Sequence, residues 1–198
     1  ATGAGDRGSL SPALGVGLGL LYAAAWLLFA HRAAVAGRPR SALFHGLTAT
    51  VIGFPLIWEA TGRLAVLPVP LAAALLAAFA WVGLGVAARH GVSLLAWATT
   101  LLGLGVAVGL LFRTHALLAF GTGLLALGAM VLWATYQRAW RIQRWLGTLV
   151  VDGVLLICLS LAARNLPPDW LPPSALRALL LAFAVLAMGV YPLPFTEV

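Results

Sequence analysis

The chain has no lysine, and all 12 of its basic residues are arginine. A Schiff base to retinal, or an imine to a substrate, needs a lysine amine. The sequence therefore excludes a seven-helix retinal protein and any enzyme that forms an imine through lysine. The preference for arginine, together with the abundance of Ala, Leu, Gly and Pro, is typical of GC-rich coding and indicates a bacterial source.

Cysteine and charged side chains are also scarce. The single cysteine, Cys158, lies in an apolar segment, which excludes an intrachain disulfide and favours a buried, inert thiol. Charged residues make up 9% of the chain, whereas a soluble domain has about a quarter. No spacing of His, Cys, Asp and Glu resembles a metal site, no glycine loop follows a phosphate-binding pattern, and no motif supports a catalytic triad. We therefore expect no catalytic residues, no metal and no cofactor.

Long apolar runs dominate the chain, which is 63% hydrophobic. A soluble fold of this size could not bury so much apolar surface, so lipid must be its solvent. A helix needs roughly 20 apolar residues to cross a bilayer. Six arginines divide the runs at intervals of 23 to 26 residues by subtraction: Arg40, Arg63, Arg89, Arg113, Arg138 and Arg164.

This spacing predicts an all-α, polytopic transmembrane helix bundle with about seven spans and short loops. No segment is polar enough to form a separate soluble module, so residues 1–198 form a single transmembrane domain. Short connections make successive helices antiparallel neighbours. The predicted segments run from Leu10 to Ala30, Ala42 to Glu59, up to Ala88, Val92 to Phe112, up to Tyr136, Leu146 to Ala163 and Ser174 to Val190.

The net charge of +7 has a membrane interpretation. In a soluble protein it would suggest nucleic acid as a partner, but here the arginines flank apolar segments and reach toward headgroups. We expect a lipid partner and no nucleic acid. Loops after the first, third and fifth segments hold more arginines than the opposite side, which predicts an outside N-terminus and a cytoplasmic C-terminus. The loop arginines are Arg32, Arg38, Arg40, Arg89, Arg138, Arg141 and Arg144, against Arg7, Arg63, Arg113, Arg164 and Arg177.

Only two carboxylates fall near or within the apolar segments. Ionisable groups in a membrane are costly and suggest function by default. Glu59 is four residues before Arg63, so an i,i+4 ion pair is the favoured interpretation if the helix continues through Gly62. Asp152 is seven residues past Trp145, about 10 Å along a helix. Its partner on the same helix could be Arg144 or Thr148, or the carboxyl could accept a proton and remain neutral, since burial favours the neutral form of a carboxyl group. We favour a structural role for Asp152, a satisfied hydrogen bond between helices.

A polar stripe on the second segment supports a different hypothesis. His45, Thr48 and Glu59 fall within about 60° of one another on a helix. If the second and sixth segments touch, His45 and Asp152 could pair and serve a proton or ion path. His45 is also the one histidine clearly inside a segment, so a haem ligand is a further alternative, although a bis-histidine haem needs a second imidazole facing it.

Glycines recur at close spacing, and Gly15/Gly19 and Gly105/Gly109 form small-xxx-small pairs. In lipid, small residues let helix backbones approach closely. These pairs could contact another subunit, but packing within the bundle is the favoured interpretation.

Three stretches carry a resemblance: Ala42-Leu-Phe-His-Gly-Leu through Pro55-Leu-Ile-Trp-Glu, the Ala87-Ala-Arg-His-Gly turn, and Tyr136-Gln-Arg-Ala-Trp-Arg to Asp152. Over about two thirds of the chain, the sequence resembles a large, uncharacterised bacterial family of multi-spanning membrane proteins with a domain of unknown function. The similarity is a general one, in the richness in Leu and Ala and in the repeated order of helix, arginine turn and helix. The resemblance implies the bacterial inner membrane and no established activity, and it transfers no functional residue. Members are usually much longer, which would make this chain a fragment of a longer polytopic protein.

Three functional hypotheses remain open. The first is a non-catalytic membrane subunit or scaffold that packs against other membrane subunits, based on glycine faces, short loops and few reactive groups. The second is a transporter or channel for a small solute or proton, based on Pro55, the segment-two stripe and Asp152. The third is a haem- or pigment-binding redox subunit, based on His45. An intramembrane enzyme ranks last.

Overall fold

In the computed structural model, residues 11–138, 141–163 and 173–190 are described, and they form seven helices without a strand. The side chains of Arg141, Arg144 and Cys158 are outside this description, as are Arg7 and Arg164. The helices are α1 (Pro12–Val35), α2 (Pro39–Gly62), α3 (Val69–His90), α4 (Ser93–Thr114), α5 (Leu117–Arg138), α6 (Arg141–Ala163) and α7 (Pro173–Val190).

The predicted helical bundle is confirmed. Among the described residues, α1 to α5 are each long and apolar enough to cross a membrane. Shorter apolar stretches occur in α6 and α7, over Trp145–Val154 and Leu176–Val185. The span count is therefore between five and seven, compatible with the expected number.

The helix ends follow local sequence chemistry. Ser11 caps α1 by accepting a hydrogen bond from the Leu14 amide at 3.3 Å, and Pro12 occupies the first turn, where its missing N–H costs nothing. Gly91 and Val92 alone connect α3 to α4, and Gly91 has a φ of +73°. A side chain would strain that left-handed conformation, so glycine permits the tight reversal.

The helices pack around α5. In the most apolar window of α5, 67% of residues are buried, against 22% for α1. α5 contacts α3, α4, α6 and α7, whereas α1 packs mainly on α2 and less on α3. The core lies between α2, α3, α4 and α5 and includes large buried side chains such as Phe54, Leu84 and Phe120. Much of the described surface of α1, α6 and α7 consequently faces outward.

Glycines set the close approach of neighbouring helices. A Cβ at Gly46 of α2 would lie 2.6 Å from the Leu95 methyls of α4, and one at Gly53 would lie 2.7 Å from the Phe79 ring of α3. At such distances a methyl group would force the Leu95 or Phe79 side chain to shift. The glycines therefore act as recesses for large side chains, which is how membrane helices gain dispersion contacts without a hydrophobic driving force.

The two small-xxx-small pairs each divide between inside and outside. Gly19 faces Leu56 and Gly109 faces the Trp58 ring, so one member of each pair packs within the bundle. Gly15 and Gly105 have nothing within 4 Å of a built Cβ. The favoured interpretation, internal packing, thus holds for half of each pair.

Most helix boundaries shift by one to three residues from the sequence prediction, and two shift by five. α1 continues past Ala30 to Val35, through His31 and Arg32, because long polar side chains at a helix end can reach the headgroups without ending the helix. α6 starts at Arg141 instead of Leu146. Its first turn is amphipathic, with Ile142 74% exposed and Gln143 1% exposed.

Candidate functional site

Asp152 lies halfway along α6 on its outward face. Val151 packs against Gly128, near the middle of α5, which sets Asp152 at the mid-height of a helix that can span the membrane. The Asp152 side chain is exposed and makes no hydrogen bond or ion pair with any described side chain. The expected partner Thr148 instead donates its hydroxyl to the Trp145 carbonyl at 3.0 Å. The expected interhelical hydrogen bond is therefore not formed within the described part of the chain.

Asp152 belongs to a continuous exposed row on α6. Trp145 is 77% exposed, Leu149 68% and Leu156 67%, and Ser160 is also exposed. These residues recur every three or four positions, so they share one helical face. We call this row, Trp145, Leu149, Asp152, Leu156 and Ser160, the Asp152 stripe. The opposite face of α6, with Val150, Val151 and Val154, is buried.

His45 lies in an aromatic cluster between α1 and α2. Its ring centroid is 5.0 Å from that of Trp26, 6.2 Å from Phe29 and 5.7 Å from Phe44. Two buried nitrogens, His45 Nδ1 and Trp26 Nε1, have no hydrogen-bond partner among the described residues. The rings that surround His45 there include no second imidazole, so this geometry does not bring together the two ligands of a bis-histidine haem.

Glu59 forms the predicted ion pair. α2 continues through Gly62, and Glu59 Oε2 lies 3.9 Å from Arg63 Nη1, with the two side chains 47% and 80% exposed. An exposed pair at this distance contributes at most about 1 kcal/mol. This ion pair gives Glu59 a structural role, at the end of α2 opposite His45.

The structure does not bring the three candidate residues together. His45 and Glu59 are near opposite ends of α2, and α6 packs against α5 and α7 while α2 packs against α1, α3 and α4. Asp152 and His45 therefore lie on helices that are not packed neighbours. α2 continues as one helix through Pro55, and the Pro55 side chain is exposed.

Polar contacts that the sequence did not reveal cluster at one end of the bundle. At this end, which we call the arginine-rich end, α1, α3 and α5 finish and α2, α4 and α6 begin. Arg138 of α5 donates from Nε to the Ala88 carbonyl and from Nη2 to the Arg89 carbonyl. These are C-terminal carbonyls of α3 that lack intrahelical partners, and a cation there also complements the helix dipole.

A second polar contact at this end joins α6 to α4. Gln143 is 1% exposed, and its Nε2 donates to Thr100 Oγ1 at 3.1 Å. Thr100 in turn donates to the Ala96 carbonyl at 2.8 Å. Gln143 Oε1 has no partner among the described residues. The sequence did offer a signal for Gln143, because a lone amide in the first turn of an apolar helix needs a hydrogen-bond partner if it is buried.

The histidines complete the arginine-rich end. His31 of α1 and His90 of α3 have ring centroids 5.5 Å apart. His90 Nε2 is buried and has no partner within the described residues. In this part of the chain, no three His, Cys, Asp or Glu side chains are close enough to hold a metal ion.

Two of the surface grooves that the described residues form lie between helices. One of 580 Å³ lies between α1, α3 and α5 and has His31 and Arg89 in its lining. The other, of 450 Å³, lies between α4, α5 and α6 and is lined by apolar residues that include Gly105 and Gly153. Neither includes Asp152, Glu59 or His45.

In comparisons with known proteins, no family model, curated protein or solved structure matches the chain significantly. What the chain does must accordingly be argued from its own geometry. That geometry is an apolar helical bundle of the kind found in integral membrane proteins, and its apolar helices suit a lipid environment.

Proposed function

We propose that the chain is a non-catalytic integral membrane subunit that packs against another membrane protein through the Asp152 stripe. The observation that carries this proposal is the exposed carboxyl of Asp152 at the mid-height of the bundle. In a solitary bundle this carboxyl would face hydrocarbon, which costs about 2.5–3.5 kcal/mol for an ionisable side chain at the centre of a helix. A partner helix with a hydrogen-bond donor or a basic group removes that cost.

The surroundings of Asp152 suit a helix–helix contact. Leu149 and Leu156 flank the carboxyl one turn away on each side, and both are exposed. Apolar side chains around one polar residue give a membrane interface dispersion contacts and a hydrogen bond that selects partner and register. The stripe has two other polar groups: the Ser160 hydroxyl, which already donates to the Ile157 carbonyl at 2.8 Å, and the Trp145 indole N–H, seven residues or about 10 Å along the helix from Asp152.

Site-specific photocrosslinking in the native membrane tests the contact. A crosslinking residue at Leu149 should capture a partner subunit, and the yield should fall when Asp152 is changed to Leu. The matched control is Val51 of α2, which is 59% exposed and also lies near the middle of its helix. Equal yields at Leu149 and Val51, or a yield that is insensitive to Asp152→Leu, would contradict the proposal.

Purification in a mild detergent separates this proposal from the other two functions. Stoichiometric partners without a chromophore are expected from native mass and the visible absorption spectrum. A colourless chain without partners, whose flux in proteoliposomes falls with Asp152→Asn, would instead support a transporter. A haem or pigment band that is lost with His45→Ala would support a redox subunit.

We also propose a bacterial inner membrane location with the arginine-rich end in the cytoplasm, and membership of the uncharacterised multi-spanning family that the sequence resembles. The arginine composition and the loop arginine bias support the location and orientation. Single cysteines at Gly37 and Ala65, in a Cys158→Ser background, lie in connections at opposite ends of the bundle. An impermeant thiol reagent applied to intact cells should label Ala65→Cys and spare Gly37→Cys, and the reverse pattern would overturn the orientation.

A further inference from the structure

The groove between α1, α3 and α5 combines an apolar interior with a basic mouth. Its interior side chains include Trp81, Val86 and Met130, while His31 and Arg89 lie at the arginine-rich end. Trp81 and Trp133 are 48% and 41% exposed, so the groove opens sideways toward the bilayer. This arrangement suits an elongated amphipathic molecule that enters from lipid.

The groove has the length of one lipid leaflet. Trp81 lies near the middle of α3 and Arg89 near its end, eight residues further by subtraction. At 1.5 Å per residue, this separation is about 12 Å. Half of a hydrocarbon core of about 30 Å is close to that value. An acyl chain that lies along the groove would therefore place its headgroup level with Arg89.

The charge at the mouth selects the headgroup. Among the described residues, no carboxylate lies at the arginine-rich end, because Glu59 is at the opposite end and Asp152 at mid-height. Arg138 at this end is already committed to the α3 carbonyls. Arg89 has no such contact within the described residues, and the His31 ring beside it can donate a hydrogen bond. Together they complement a phosphate group.

Gly85 keeps the groove open. A Cβ at this position would have only the Met130 methyl within 4 Å, at 3.8 Å, so the space beside the helix is accessible. Because Gly85 lies one turn before Arg89, it is at the point where the apolar interior meets the basic mouth.

We propose that this groove binds one anionic phospholipid of the leaflet at the arginine-rich end, with its phosphate on Arg89 and His31 and an acyl chain along α3. The apolar length of the groove favours a membrane lipid over a free phosphate ion. The site is independent of the Asp152 stripe, which lies on α6, so failure of one proposal leaves the other intact.

Native mass spectrometry of the detergent-solubilised full chain tests the site, with phosphatidylglycerol and phosphatidylcholine of identical acyl chains as probes. We expect one phosphatidylglycerol to be retained in preference to phosphatidylcholine, and Arg89→Gln to weaken it about fivefold. Gly85→Leu should weaken it at least as much, because the new side chain fills the groove without altering charge. Arg32→Gln is the matched control, since it removes an exposed arginine at the same end that does not line the groove.

Retention of both lipids to the same extent would overturn the proposal, as would an equal loss with Arg32→Gln and Arg89→Gln. Unchanged retention in Gly85→Leu would show that the acyl chain lies elsewhere and would also overturn it. Competition by millimolar inorganic phosphate would show a headgroup site without a lipid groove, which again contradicts it. The midpoint of thermal unfolding without lipid is measured for each variant. Arg89→His, which keeps a donor, replaces Arg89→Gln where that variant does not fold.

Discussion

The divided glycine pair on α4 gives a quantitative prediction with its own control. Gly105 and Gly109 are one turn apart on the same helix, but a Cβ at Gly109 would overlap the Trp58 ring, while a Cβ at Gly105 has nothing within 4 Å. We therefore compare Gly109→Ala with Gly105→Ala. Both substitutions add one methyl group, and both reduce the conformational freedom of the unfolded chain by the same amount.

The structure supplies the expected magnitudes. Replacing glycine by alanine inside a helix stabilises it by about 0.5–1 kcal/mol where the methyl group fits. Overpacking against a rigid neighbour costs about 1–3 kcal/mol. Because the propensity contribution is common to both variants, Gly109→Ala should be less stable than Gly105→Ala by about 1–3 kcal/mol, and Gly105→Ala should equal or exceed the unmodified chain.

Reversible unfolding in mixed detergent micelles measures both free energies. Trp58→Leu should reduce the penalty of Gly109→Ala, since it shortens the side chain that the methyl group meets, and a double-mutant cycle isolates this coupling. The same cycle with Gly105→Ala should give no coupling. Equal destabilisation by both alanines, or no coupling between positions 58 and 109, would refute the assignment of Gly109 to internal packing.

Three further predictions concern the polar contacts. Gln143→Leu and Thr100→Val should show a coupling energy of about 0.6 kcal/mol in a double-mutant cycle, the typical strength of a hydrogen bond between membrane helices, and additive effects would contradict the contact. Arg138→Gln should destabilise the chain by about 1 kcal/mol and speed amide hydrogen exchange at Gly91 and Val92. Arg138→Lys should recover only part of both, because an ammonium lacks the planar fork that spans two carbonyls. Unchanged exchange in Arg138→Gln would contradict this role. Glu59→Gln should change the unfolding free energy by less than about 0.5 kcal/mol, since the ion pair is exposed, and a larger loss would indicate a burial that the structure does not show.

The sequence predicts the helices well because lipid imposes one dominant constraint on each of them. The fourth segment, for example, was expected from Val92 to Phe112, and α4 runs from Ser93 to Thr114. Apolar length and arginine spacing suffice for this prediction, since every backbone polar group must be satisfied within its own helix. The Glu59–Arg63 pair was likewise predictable, because both partners lie on one helix at a fixed spacing.

The contacts between helices were not predictable in the same way. A span that is apolar on all sides carries little information about which face turns inward, so sequence alone could not separate Gly109, which packs on Trp58, from Gly105, which is open. The exposure of Asp152 is a similar case, because its burial depends on the rotation of α6 set by Gly128 and Gly147 against Val151 and Val131. For the same reason, the sequence did not anticipate that Arg138 and α3 meet.

The contact of Arg138 with α3 also bears on how the chain is assembled in the membrane. α3 and α4 precede Arg138 in the chain, so the last carbonyls of α3 depend on water at the bilayer surface until α5 has been inserted. Insertion of α5 replaces these water molecules with the Arg138 guanidinium. Only then do the last carbonyls of α3 have hydrogen-bond partners within the protein. Insertion of the fifth helix is thus the event that completes the third, and a chain truncated before residue 138 should leave its earlier hairpin open to proteolysis at the Gly91 turn.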